Sequence, residues 1–461
     1  MAIHLYTAPA GVGKTAYLVE RARRLAADPA AAPRVVVATR LQVRAWQRRL
    51  AQAGGALGVH VGTFDRLYAQ ILSAAGEVYT RISDPIQYRL LRTLIAEAPL
   101  AYYAPLRGAP GFVQEVARLI GEWKAGGVFP EALLAALAEM GGEPRLVELA
   151  ELYLSYQQQL QDGRWADAAG TGWLAAEALA CHPEVGRAWS ALLVDGFDDL
   201  TTVQLRVLEQ LAGRASETIV ALTGAPVGRP RETVHRRFYD TRDAVEAALG
   251  VRAELLPGLP DLLGMRAKPL SEPEAPLRAP ALAHLESMLY VNEEALSPAV
   301  EGALALVAAP DREGEVRAAL RWLKRQLIGE EMSPAEVALL ARDLAPYRAW
   351  IVQVAAEYGL PVHIVGGLPL RANPAVAALL GLLQLSGTDT TQGSPAAQGS
   401  PASQQGKVAH EGAVDGAFPW RETVAAWRSP YFDWATCAGA DGEAIGIDAL
   451  DADLLDWMAR W

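Results

Sequence analysis

Ala8-Pro9-Ala10-Gly11-Val12-Gly13-Lys14-Thr15 is the stretch that decides the reading of this chain. The run 3–7 before it, with Ile3, Leu5 and Tyr6, predicts a short strand, and the apolar spacing over residues 15–27 predicts an amphipathic helix after it. A glycine-rich turn between strand and helix is a phosphate cradle. Its glycines let backbone amides close around the oxygens, and the helix N-terminus adds partial positive charge. In that pattern the lysine reaches the β- and γ-phosphates and the hydroxyl residue ligates Mg²⁺. Ala10, Gly11, Val12, Gly13, Lys14 and Thr15 are therefore the candidate ATP site, with Ala8 standing where the usual pattern opens on glycine.

Outward from this loop, residues 34–39 predict a second buried strand followed by a helix through Arg49. Residues 59–64 predict a third strand end, with a helix from Asp65. Strands alternating with helices in units of about thirty residues indicate a parallel α/β sheet. Over residues 84–182 the pattern becomes leucine- and alanine-rich at helical spacing, and the strand pattern resumes at 189–195 and 218–223. One sheet domain is thus split in sequence by a helical insertion. A second α/β unit is expected from three further strands at 304–309, 336–341 and 362–365, with helices between them.

The organisation read from this pattern is a first α/β domain in two parts, 1–83 and 186–300, the latter including a Pro- and Arg-rich connector. The helical insertion is 84–185, and an incomplete second α/β domain is 301–385. Residues 386–410 collapse to Gln, Ser, Gly, Pro, Thr and Ala and predict a flexible insert. A helical segment, 411–461, follows. Its Trp420, Trp427 and Trp434 recur every seven residues, a stripe that either buries one helix face or stacks on bases.

Composition narrows the class. In 461 residues with 51% hydrophobic and 21% charged content there is ample material for globular cores. No apolar run reaches the roughly 18–20 residues that a membrane span needs. The first residues lack a signal peptide's basic flank, so a cytoplasmic protein is expected. Two distant cysteines, Cys181 and Cys437, match no metal spacing, and seven scattered histidines form no metal set. The net charge of −11 argues against indiscriminate coating of nucleic acid, yet residues 1–50 carry nine Lys/Arg against Glu20 and Asp28. A local basic groove can still hold a phosphate backbone.

A second carboxylate completes a phosphate site. Asp195 ends the hydrophobic run 191–195 and is placed to hold Mg²⁺ through water. The following position, where a glutamate would serve as base, is Gly196. Asp198 and Asp199 are expected to cap the helix that begins near Thr201.

These residues together resemble a family. The loop beginning with alanine, Thr39-Arg40, Val61-Gly62-Thr63-Phe64-Asp65-Arg66-Leu67 and the strand ending at Asp195 follow the order of UvrD/Rep-like helicases. Val194-Asp195-Gly196-Phe197-Asp198-Asp199-Leu200-Thr201 with Gln204-Leu205-Arg206-Val207-Leu208-Glu209-Gln210-Leu211 resembles the AddB type of helicase–nuclease subunit. So do Phe112–Glu115, Glu122-Trp123-Lys124, the segment 337–342, Gly359-Leu360-Pro361-Val362, Ala309–Glu315 and Arg428–Phe432. The resemblance implies that this is a P-loop NTPase fold whose two α/β domains, 1–83 with 186–300 and 301–385, are RecA-like, with ATP and Mg²⁺ as cofactors and DNA and an AddA-like helicase–nuclease subunit as partners. It also implies a strand of DNA near Arg40, Thr63, Phe64 and Arg66, the role in double-strand break repair and recombination that such complexes have, and no membrane association.

The departures matter equally. Leu222-Thr223-Gly224-Ala225-Pro226 replaces the family's Gly-Asp-x-x-Gln motif, and no glutamine precedes Ala8 to read adenine. The later helicase motifs and the C-terminal nuclease domain with its iron–sulfur cluster are not recognisable before Trp461. The leading expectation is an ATP-binding, DNA-holding subunit without its own motor. An active UvrD-class ATPase using Asp198 or Asp199, and a P-loop kinase or regulatory ATPase, are the alternatives.

Overall fold

The computed structural model describes residues 2–28, 30–224, 235–257, 279–291, 302–329, 332–366, 370–386, 429 and 431–432. They fall into two units, Met1–Leu306 and Val307–Trp461. In chain order the strands of the first unit are β1 (Ala2–Ala8), β2 (Arg34–Val37), β3 (His60–Gly62), β4 (Thr80–Arg81), β5 (Trp165–Ala166), β6 (Ala191–Asp195), β7 (Glu217–Thr223) and β8 (Ala253–Leu255). Six of them form one sheet in the order β3-β2-β6-β7-β1-β8, and every neighbouring pair is parallel. β4 and β5 make a separate parallel pair.

The strands read as near-continuous apolar runs because both sheet faces are covered. Successive side chains point to opposite faces, and the burial pattern follows that alternation. Leu5, Val36, Leu192, Val194, Val220 and Leu222 pack with α3 (Phe64–Ala74), α8 (Ala168–Cys181), α9 (Thr202–Ala212) and α10 (Arg236–Leu249). Tyr6, Val35, Val37, Leu193, Ile219 and Ala221 pack with α1 (Lys14–Leu25) and α2 (Arg40–Gln52). Strand β6 is buried along its whole length. Its carboxyl end is separated from that of β1 by β7 alone. In open parallel sheets ligands bind outside these carboxyl ends.

The insertion is helical, as its spacing predicts. It comprises α4 (Asp84–Glu97), α5 (Pro110–Ala125), α6 (Pro130–Glu139) and α7 (Pro144–Asp162), around a core that includes Leu91, Ile95, Val113, Ile120, Leu152 and Tyr153. Helices α5, α6 and α7 each open on proline, whose fixed φ and missing N–H suit a first helical turn. Helix α8 joins insertion to sheet by packing on α3, α9 and α5. The β4–β5 pair has no counterpart in the sequence reading, because two-residue strands leave no periodic signal.

Glu148 on α7 organises the turn after α4. Its carboxylate accepts the amides of Ala101 and Tyr102 through Oε1 at 2.9 and 2.6 Å, and that of Tyr103 through Oε2 at 3.0 Å. Burial alone would push this carboxyl up, but the three amide bonds outweigh it and hold Glu148 below the ordinary carboxylate range. A group lowered on folding stabilises above its unfolded pKa and loses that contribution as pH falls through the folded one. Glu148→Gln is therefore expected to melt earlier than the wild type at pH 7. The gap should close as the pH drops below about 4; thermal melts at both pH values check this.

Residues 235–257, within the stretch read as a Pro- and Arg-rich connector with some helix, supply both a helix and a strand. Helix α10 packs on β1 and β7, and β8 extends the sheet beside β1. Three residues of strand, Ala253-Glu254-Leu255, are too few to stand out from a loop. Helix α11 (Pro280–Met288) follows.

In the second unit the described residues form α12 (Arg312–Gly329), α13 (Arg348–Tyr358) and α14 (Pro374–Ser386). Val316, Leu320 and Leu323 meet Ile351, Val354 and Ala355 in a small core. The second sheet expected from 304–309, 336–341 and 362–365 is not found: these segments form no ladder among the described residues. Short apolar runs carry no period that distinguishes a paired strand from an unpaired one, and here Leu340 is 89% exposed. Apart from Ser386, the expected flexible insert at 386–410 and the stripe of Trp420, Trp427 and Trp434 lie outside the described residues.

Candidate nucleotide site and nucleic-acid cleft

The turn between β1 and α1 needs its glycines. Gly11 and Gly13 have φ of 77° and 97°, the left-handed region that other residues enter at a cost. Gly13 is the N-cap of α1, which has no side-chain cap and no acidic residue in its first turn. Its leading amides thus face outward with the helix dipole behind them. Lys14 is the first residue of α1, and its Nζ donates to the carbonyls of Ala8 at 2.9 Å and Pro9 at 2.8 Å. To reach a phosphate the ammonium exchanges these two carbonyls for phosphate oxygens. Thr15 is half-buried one residue further on.

Asp195 ends β6, only 4% exposed. Its Oδ2 accepts the indole N–H of Trp46 on α2 at 2.9 Å. That bond uses one acceptor site of the carboxylate and leaves capacity for a metal-bound water. Among the described residues no three His, Cys, Asp or Glu side chains cluster as a metal site. One carboxylate and one threonine hydroxyl fit a magnesium ion that arrives with a nucleotide and keeps waters and phosphates as its other ligands, not a resident all-protein site.

Gly196 follows with φ of 76°. A Cβ built there would lie 2.7 Å from Gln42 Nε2, and that amide reaches the Gly196 carbonyl at 3.4 Å. Asp198 and Asp199 are exposed on the same turn, and their expected capping of α9 is corrected. Thr201 caps α9 instead, accepting the Gln204 amide at 3.2 Å while Gln204 Oε1 accepts the Thr201 amide. A threonine one residue before the helix is better placed for N2 and N3 than carboxylates two and three residues earlier.

Beside this site, α2, the end of β3 and the start of α3 enclose a cleft of about 530 Å³. It is lined by Arg40, Arg44, Arg66 and Arg81 together with Thr63, against the single carboxylate of Asp65. Asp65 is paired with Arg81 at 3.3 Å on the exposed rim. Thr63 is the N-cap of α3 and makes no side-chain cap bond. The cationic field is felt next door at His60. Partial burial first, then the guanidinium groups of Arg34 and Arg66, hold its imidazole below the ordinary range.

The structure therefore brings Arg40, Thr63 and Arg66 to one cleft, and it adds Arg44 and Arg81. Arg44 stands four residues from Arg40, a helical spacing legible in the sequence. Arg81 depends on the β4–β5 pairing and left no signal. Phe64 lies in the core: its ring is 5% exposed and packs 5.3 Å from Phe197 and 5.6 Å from Tyr68, so its side chain anchors α3 while Thr63 before it lines the cleft. Trp46 and Gln42 were missed because their partners lie about 150 residues away. No helix among the described residues is long and apolar enough to cross a membrane.

Comparison with known proteins places the chain in a family. The family described as ADDB, N-terminal, matches residues 5–286, more than half of the chain. The B subunit of an ATP-dependent helicase/deoxyribonuclease from Moorella thermoacetica is 30% identical over 413 residues, covering 83% of this chain and 34% of that protein. The protein of the same description from Desulforudis audaxviator is 29% identical over 403 residues, with 83% and 34% covered. That of Bacillus subtilis is 26% identical over 337 residues, with 70% and 28% covered. The chain spans about a third of the length of these relatives. From its sheet, its insertion and these matches, the chain belongs to the AddB family and carries that family's N-terminal region.

Proposed function

We propose that this chain is an ATP-binding, DNA-holding, helicase-like part of a cytoplasmic helicase–nuclease complex acting in double-strand break repair and recombination. It would work beside an AddA-like subunit and without a motor of its own. The observation that carries the reading is the arginine-lined cleft at the carboxyl end of β3, in a sheet whose phosphate loop follows β1, four strands away. Four guanidinium groups and an uncapped helix N-terminus suit the phosphates of a single strand. Bound nucleotide with Mg²⁺ would supply charge screening at the loop, held by the first-turn amides of α1, Lys14, Thr15 and Asp195.

The absence of a motor rests on Gly196. A base at this position would need a side chain directed at the attacking water, and the backbone here is left-handed. Gly196→Glu is expected to leave phosphate release at background. It should also destabilise the fold by about 1–2 kcal/mol, the cost of an L-residue in that region, with Gln42 displaced besides. Restored, DNA-stimulated turnover in this variant would show that only the missing carboxylate separates the chain from an active ATPase. The DNA reading is tested by fluorescence anisotropy of a labelled single strand. Saturable binding that weakens steeply with salt supports it, and no binding at low ionic strength refutes it.

A further inference from the structure

Helix α2 touches both halves of the site. Arg40, Val43, Arg44 and Gln47 line the arginine cleft. Gln42 and Trp46, one helical turn apart, meet the end of β6: Trp46 bonds the Asp195 carboxylate, and Gln42 reaches the Gly196 carbonyl. Gln42 is itself fixed by its reciprocal capping box with Thr39. Trp46 is 2% exposed and packs in the same core as Leu50, Val35 and Leu193. Close packing holds an indole so enclosed in place, and its N–H is a donor only. The orientation of a nearly buried carboxylate is thus set by a side chain from another element, and that element also carries two of the cleft's arginines.

We propose that Trp46 is a positioning residue for Asp195: its indole fixes the carboxylate so that the remaining acceptor sites meet a metal-bound water, and it ties that carboxylate to the helix bearing Arg40 and Arg44. The proposal rests on the nucleotide-binding reading above. Removing a donor that orients a metal-side carboxylate weakens metal-dependent binding by about ten- to a hundredfold. Phenylalanine at 46 keeps an aromatic ring and deletes the donor.

The experiment measures binding of a fluorescent ATP analogue with Mg²⁺ and with EDTA, for the wild type, Trp46→Phe, Asp195→Ala and the double variant. The expected result has four parts. Mg²⁺ tightens wild-type binding; Trp46→Phe loses at least about tenfold of that enhancement; its EDTA value is unchanged; and it causes no further loss once Asp195 is alanine. Full enhancement in Trp46→Phe, or an equal loss in the Asp195→Ala background, overturns the proposal. No binding by the wild type in either condition overturns the nucleotide reading itself, and this proposal with it. A second measurement covers a Trp46→Phe protein that does not fold. In ¹⁵N-tryptophan-labelled protein the indole resonance displaced by Asp195→Ala is that of Trp46. Mg²⁺ with the analogue must shift it in the wild type and the analogue with EDTA must not; a resonance unmoved by Mg²⁺ overturns the proposal.

Discussion

Lys124→Met will lose about 3–5 kcal/mol of unfolding free energy, the cost of leaving a buried charge without its partner. Lys124 on α5 is 0% exposed and Asp167 before α8 is 2% exposed. Their Nζ–Oδ2 distance is 2.8 Å. The same Oδ2 accepts the Tyr156 hydroxyl at 2.9 Å, and Oδ1 caps α8 through the Gly170 amide at 2.6 Å. One carboxylate therefore joins α5, α7 and α8, and α8 packs on α3 below the cleft. Burial pulls the Lys124 ammonium below its ordinary value, and only Asp167 opposes that pull. Removing the lysine strands the carboxylate with neutral donors alone. Urea unfolding of Lys124→Met, Asp167→Asn and the double variant measures the effect, and the two single losses should not add. A loss below about 1 kcal/mol, in the range of exposed pairs, would contradict the network.

Combined Arg40→Ala, Arg44→Ala and Arg66→Ala substitutions will weaken single-strand binding on the order of a hundredfold at low salt. The slope of log K against log salt will flatten by about 2, at roughly 0.7 for each phosphate no longer neutralised. The loss should be similar for strands of different sequence, because phosphate contacts position without reading bases. Arg81 is expected to matter less, since it is already paired with Asp65. Lysine in place of each arginine should retain most of the slope. Anisotropy titrations across a salt series check all of these, and an unchanged slope in the triple variant would move the strand elsewhere on the molecule.

What could be read from sequence was local. The loop Ala8–Thr15 announces itself because glycines, lysine and threonine act within one turn. The strands at 34–39, 189–195 and 218–223 announce themselves by apolar runs that a doubly covered parallel sheet requires. Asp195 was legible as the end of such a run, and the family match now covers that region. Its partner Trp46 was not, because an apolar residue on an amphipathic helix says which face is buried and not what its N–H meets. The packing of Phe64 was hidden in the same way, since its ring completes a core with Phe197, 133 positions later. Gly196 could be read as a missing base, but its left-handed backbone and its closeness to Gln42 required coordinates. The segment 304–309 shows the converse limit, since this apolar run forms no ladder among the described residues.

In the proposed reading the chain binds nucleotide and DNA without coupling them to hydrolysis. Phosphate release and ATP binding by the wild type and Lys14→Ala, each with and without single-stranded DNA, test it most directly. The expected result is Mg·ATP binding that depends on Lys14, DNA binding, and no phosphate release above the Lys14→Ala background in any condition. DNA-stimulated release that disappears with Lys14→Ala would contradict it, and would assign the work of the absent glutamate to Asp198, Asp199 or another group near Gly196.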